Sequence, residues 1–145
     1  MPANTSPIFT LTPRNGFAKV TGVDGTMDGT DADVKIVFTA GASFGSFLQR
    51  LICQPISTSG STTTSAASLR IYMNNGSTVG TAANNQLIKE WSLAAIAVNV
   101  AGTTAVLGYE LPLNFQLAPG YAIYVGVTAM AASTQWNVTS VHGDY

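Results

Sequence analysis

The sequence predicts an all-β fold, a single antiparallel β-sandwich of jelly-roll-like layout with an extended N-terminal arm. Three observations predict it. Apolar residues recur with a period of two over short stretches, as strands require. Clusters of Gly, Pro, Asn, Asp and Ser separate those stretches at short intervals. The chain offers no convincing helix.

The arm is residues 1–13, MPANTSPIFTLTP, in which Pro2, Pro7 and Pro13 each withhold a backbone donor and resist helix. Arms of this kind either fray or lie on a partner. Residues 14–145 are expected to form the sandwich around one core, because a chain of 145 residues suits one domain that buries roughly two thirds of its unfolded surface. In VKIVFT, Val34, Ile36 and Phe38 share one face and Lys35, Val37 and Thr39 the other, with turns in GTDAD before it and AGASFG after it. FLQRLICQPI, residues 47–56, is the next strand. Its Cys53 is the only cysteine, so no disulfide closes within the chain and a buried structural thiol is expected. STSGSTTTSAAS, residues 57–68, reads as a mobile surface loop between strands. LRIYMN then alternates Leu69, Ile71 and Met73 against Arg70, Tyr72 and Asn74 and runs into the turn NNGS. LIKEWSL and TAVLGYELPL follow, Pro119-Gly120 turns the chain into YAIYVGVTA, and QWNVTSVH is the last strand.

Composition limits the function classes. Charged residues are 9% of the chain, against roughly a quarter in an ordinary soluble domain, while hydrophobic residues reach 46%. Two readings stay open: a surface of Thr, Ser, Asn and Gly, or an exterior covered by other subunits, since weakly charged apolar surfaces associate. The net charge is −1, and Arg14, Lys19, Lys35, Arg50, Arg70 and Lys89 are scattered singly, which leaves no electrostatic footprint for nucleic acid. The N-terminus has neither the basic start nor the apolar run of a secretory signal, and LAAIAVNVAG is far short of the roughly 20 residues of a membrane helix. Asn4, Asn75 and Asn137 head N-x-S/T triplets, which without a secretory route read as chance.

Candidate chemistry begins with the only histidine. Alternation in QWNVTSVH places Trp136, Val138, Ser140 and His142 on one face, with Asp144 to follow, so a nucleophile, base and orienter are conceivable as Ser140, His142 and Asp144. Side chains two apart in a strand are set nearly 7 Å apart along it, which predicts that they stay beyond hydrogen-bond reach. A lone histidine with Cys53 far off in sequence also supplies zinc poorly. Asp24, Asp28, Asp31 and Asp33 cluster within VDGTMDGTDADV, as calcium would want. Their spacing departs from an EF-hand loop, and Asp-Gly pairs are also what tight turns use, so a solvated turn without metal is the expectation. There is no phosphate-cradling glycine loop and no dinucleotide fingerprint. Glu90 and Glu110 could serve as glycosidase carboxylates only at a separation of roughly 5 to 10 Å. Trp91, Tyr109, Tyr121, Tyr124 and Trp136 could line a sugar platform, although aromatics on strands more often pack a core or interface. The expected catalytic, cofactor-binding and metal-ligating sets are therefore empty.

Asp24-Gly25-Thr26, VFTAGAS at 37–43, FLQRL at 47–51, LRIYMNNG at 69–76, FQLAPGY at 115–121 and the terminal Gly143-Asp144-Tyr145 together resemble a group of small bacteriophage virion proteins. The resemblance spans most of the chain through short turn and strand-end motifs. It implies a head decoration or cement protein on the capsid exterior, made in the host cytoplasm, with the major capsid protein as partner and no catalytic residues to carry over. A homo-oligomer is expected, a trimer by the frequency of three-fold positions in icosahedral shells. The alternative expectation is a fibre or tail-tip adhesin that binds host-surface glycans through exposed aromatics.

Overall fold

The computed structural model describes residues 12–102, 106 and 108–145. Ten strands carry it: β1 (Thr12–Val20), β2 (Lys35–Thr39), β3 (Ser46–Ser57), β4 (Ser61–Thr63), β5 (Ala67–Asn74), β6 (Asn85–Leu93), β7 (Ala97–Asn99), β8 (Tyr109–Leu117), β9 (Ala122–Val127) and β10 (Thr134–Asp144). One short 3-10 turn, Ala82–Asn84, precedes β6. Eight of the strands form two four-stranded antiparallel sheets, ordered β1-β10-β3-β8 and β2-β9-β5-β6, and β4 pairs with β7 in a small ribbon. The chain passes from sheet to sheet at almost every connection, and only β5 and β6 are successive neighbours within one sheet. That is the strand order of a jelly roll, so the all-β sandwich expected from the sequence is present in its finer layout too.

The core lies between the inner faces. Val20, Leu48, Leu51, Cys53, Leu111, Trp136 and Val138 from the first sheet meet Leu69, Ile71, Ile123, Val125 and Val127 from the second, all fully or almost fully buried. Alternation predicts most of this, because the inward positions along β5, and Trp136 and Val138 on β10, are apolar. Cys53 is buried as expected, and burial pushes its thiol up to about 12.

Three expectations need correction. Val34, Ile36 and Phe38 do not share a face: the pairing of β2 with β9 slips between Ile36 and Phe38, which turns Val37 and Phe38 inward and leaves Ile36 exposed. The stretch 57–68 is more than a loop, since Ser61–Thr63 pairs with Ala97–Asn99. Thr12 and Pro13, assigned to the arm, are already the first residues of β1 and pair with Asp144 and Gly143. The rest of the arm and Asn4 lie outside the described residues, as does part of TAVLGYELPL. Among the described residues no helix is long and apolar enough to cross a membrane.

Candidate functional site

The inner face of β10 brings Ser140 and His142 together, against expectation. Ser140 Oγ lies 2.9 Å from His142 Nδ1. The spacing of nearly 7 Å belongs to the backbone; side chains that lean toward each other close it. The lean occurs where β3 carries one unpaired residue, Gln49, between the partners of Val141 and His142. The contact makes no exposed nucleophile. Ser140 is fully buried, its Oγ accepts from the Gly16 amide at 2.8 Å, and the His142 ring stacks on Phe38 at 3.8 Å between centroids. Asp144 turns elsewhere, accepting from Arg14 Nε at 3.0 Å and from the Ser46 hydroxyl. Those bonds, Ser46 first, hold the Asp144 carboxyl below its ordinary value, while burial holds the His142 imidazole below its own.

The acidic stretch is a strap. Its residues cross the outer face of the second sheet, and each of three carboxylates is turned onto donors. Asp24 accepts from the Tyr72 hydroxyl at 2.6 Å and from the Thr26 amide, Asp28 from both the amide and hydroxyl of Thr30, and Asp31 from the amides of Gly25 and Asp33. Local amides and hydroxyls hold Asp28 and Asp31 below the ordinary carboxylate value, the Thr30 hydroxyl and the Asp33 amide leading. Arg70, outward on β5, ties the strap down: its Nη1 donates to the Thr26 carbonyl at 2.6 Å and lies 3.5 Å from Asp24 Oδ2, while its Nε bonds Glu90 at 3.0 Å. Asp24 also donates its amide to the Val127 carbonyl, and Gly29, at φ +73°, lies against the Tyr72 ring where a side chain would be strained. Burial and the Asp24 bond raise the Tyr72 phenol. Among the described residues no three His, Cys, Asp or Glu side chains converge to hold a metal.

The remaining candidates stay apart. Glu90 pairs with Arg70 on the outside of the second sheet, and Glu110 sits on the outside of the first. Packed sheets are about 10 Å apart and these carboxylates point away from each other, so glycosidase spacing is not met. Trp136 is fully buried, with Tyr109 tilted against it at 6.1 Å. Trp91, Tyr121 and Tyr124 lie on β6, before β9 and on β9. They form no shared platform with Trp136 and the half-buried Tyr109.

What the geometry does offer is a face. On the first sheet, register aligns Phe17, Thr139, Ile52 and Glu110 in one outward row and Asn15, Val141, Arg50 and Pro112 in the next. Phe17 is 76% exposed, and Ile52, Thr139 and Val141 are half-buried. Lys19, Arg50 and Glu110 are the charges there, and Arg50 lies 3.8 Å from Glu110. Nothing in the sequence marked Phe17 as special, and Arg70 stood there only within the LRIYMNNG motif, because a lone aromatic or arginine gains meaning only from what folds beside it.

The chain matches no protein-family model, no curated protein and no solved structure. The short motifs of the sequence map onto the fold as follows: Asp24-Gly25-Thr26 begins the strap, LRIYMNNG supplies its anchors Arg70 and Tyr72, and Gly143-Asp144 ends β10.

Proposed function

We propose that this protein is a decoration or cement protein of a bacteriophage head, which adheres to the major capsid protein on the outside of the virion and stabilises the shell. The observation that carries this reading is the outer face of the β1-β10-β3-β8 sheet, where, among the described residues, an exposed Phe17 stands among half-buried apolar and small polar side chains with little charge. Depleted charge with an exposed aromatic is a composition that interfaces favour, and Phe17 supplies that aromatic from the edge strand β1. The absence of a basic stripe in the sequence speaks against nucleic acid as partner. In this reading the protein catalyses no reaction and acts as a homo-oligomer, with a trimer matching three-fold positions. The adhesin alternative is weakened, since two of the five aromatics it would use, Trp136 and Tyr109, pack inside the sandwich.

Electron microscopy of virions with a labelled copy tests the reading directly. Label on the head exterior supports it, and label on fibres or tail tips replaces it with the adhesin. In a shell-binding assay Phe17→Asp should weaken binding at least about tenfold, the loss of a hot-spot contact.

A further inference from the structure

At the corner where β1 meets β2, Gly16, Ser140 and His142 form a buried hydrogen-bond chain that adhesion leaves unused. The Gly16 amide donates to Ser140 Oγ at 2.8 Å, Ser140 Oγ lies 2.9 Å from His142 Nδ1, and the Gly16 carbonyl lies 3.3 Å from that same oxygen. A hydroxyl has one proton to give and lone pairs that accept two bonds. When Nδ1 carries no proton, the hydroxyl gives its proton to Nδ1 over an ordinary distance and accepts from the Gly16 amide. When the imidazole is charged, Nδ1 becomes a donor. The hydroxyl must then accept from both sides and send its own proton to the Gly16 carbonyl, whose 3.3 Å exceeds the usual O–H···O range of about 2.5 to 3.0 Å.

The surroundings favour the neutral ring. Phe38 of β2 stacks on it, Leu48 of β3 pairs with it on one side, and Arg14 of β1 pairs with it on the other. Asp144, on the same strand, is the anion nearest in sequence and is already engaged by Arg14 and Ser46. On β2, Lys35 lies toward the opposite end, and on β3, Arg50 points to the outer face, so neither strand turns a charge toward the ring. The Phe38 face attracts a cation weakly. Burial first, with Arg14 adding to it, outweighs Asp144 and keeps the imidazole below its ordinary value.

We propose that Ser140 is the pivot of a two-state hydrogen-bond switch: neutral His142 with its proton on Nε2 locks the edge strand β1 onto β10 and β2, and acidification loosens it. Gly16 makes the lock possible, because a Cβ there would collide with the Val37 carbonyl and the Phe38 side chain. The switch belongs to the fold and operates whether the protein adheres to a capsid or to a glycan. A folded-state value below the ordinary 6.5 means that the stabilisation is fully present above pH 6.5 and is lost as pH falls through the folded value.

Nuclear magnetic resonance on the full chain tests this in two ways. The His142 ring should titrate below 6.5, and the protection of the Gly16 amide against exchange, corrected for intrinsic rate, should fall about tenfold between pH 8 and pH 5 while amides in the middle of β5 keep theirs. A titration at or above 6.5, or unchanged protection at Gly16, overturns the proposal. Ser140→Ala should lower Gly16 protection already at pH 8 and leave less than a twofold change on acidification. If that variant does not fold, the wild-type titration and exchange still decide the matter.

Discussion

The two sheets are built alike inside and differently outside. The outer face of the second sheet is covered by the chain's own strap, while the outer face of the first carries Phe17 into solvent. Covering the second face required polar chemistry. Tyr72 and Asn74 point outward on β5 yet are 1% exposed, and Asp24 is 2% exposed, so every buried polar atom there needs a partner from the strap or its neighbours. The first face has no such network. A face designed for water would carry many charges, and one covered by the chain itself would carry a network; among the described residues this one has only Lys19, Arg50 and Glu110 as charges and no buried network. That difference is what the proposed contact with another protein rests on.

The largest expected effect breaks the covered face. Asp24→Ala would take the carboxylate from the Tyr72 hydroxyl and from Arg70, leaving the Thr26 carbonyl and Glu90 as their remaining acceptors, and losing such a buried acceptor costs about 1 to 3 kcal/mol. Urea unfolding measures this. A loss below about 1 kcal/mol would mean that backbone bonds such as Asp24 to Val127 hold the strap unaided. On the bare face the pattern should invert: Phe17→Asp should change unfolding by no more than about 0.5 kcal/mol, since surface substitutions away from special features rarely exceed that. A cost of 2 kcal/mol would show that Phe17 packs within the subunit and would remove the contrast.

A smaller effect sharpens the comparison through pH. The Asp144 carboxyl is held below its ordinary 3.8, by the Ser46 hydroxyl above all. A depressed carboxylate stabilises the fold above pH 3.8, and that stabilisation is lost as pH falls through the folded value. Its window therefore opens at 3.8, below the 6.5 at which that of His142 opens. Thermal melts of Asp144→Asn should show a flatter decline below pH 4 than the wild type, and an unchanged decline would mean that the strap carboxylates Asp28 and Asp31 dominate acid sensitivity.

Much of the fold was legible because alternation survives wherever pairing is regular. Leu69, Ile71 and Met73 face inward as their spacing predicts, and so do Trp136, Val138, Ser140 and His142. It fails on β2, where one slipped pair exchanges the roles of Ile36 and Val37 and leaves no trace in residue types. β1 escaped notice because its inward residues include Gly16 and Ala18, too small to read as a hydrophobic face. The candidate sites were less legible for a related reason. Ser140 and His142 meet through side-chain lean, and the strap depends on Arg70 and Tyr72, far along the chain from Asp24. Turn motifs such as D-G-T announce a bend without saying which sheet it will lie on.

The smallest expected effect is that of calcium, and it tests whether the strap is finished as it stands. Asp24, Asp28 and Asp31 already accept bonds from hydroxyls and amides, so binding a cation would mean withdrawing carboxylates from donors that satisfy them. The magnitudes make the outcome readable. A site with a dissociation constant near 0.1 mM would, in 10 mM calcium, stabilise the native state by about 2.7 kcal/mol. For a domain of this size that is a rise of several degrees in Tm. The expected shift is instead below about 1 °C, in either 10 mM calcium or excess chelator. A rise of several degrees that disappears in Asp28→Asn would make the strap a metal-closed cover, and the contrast between the faces would then be one of ligation as well as of polar bonding.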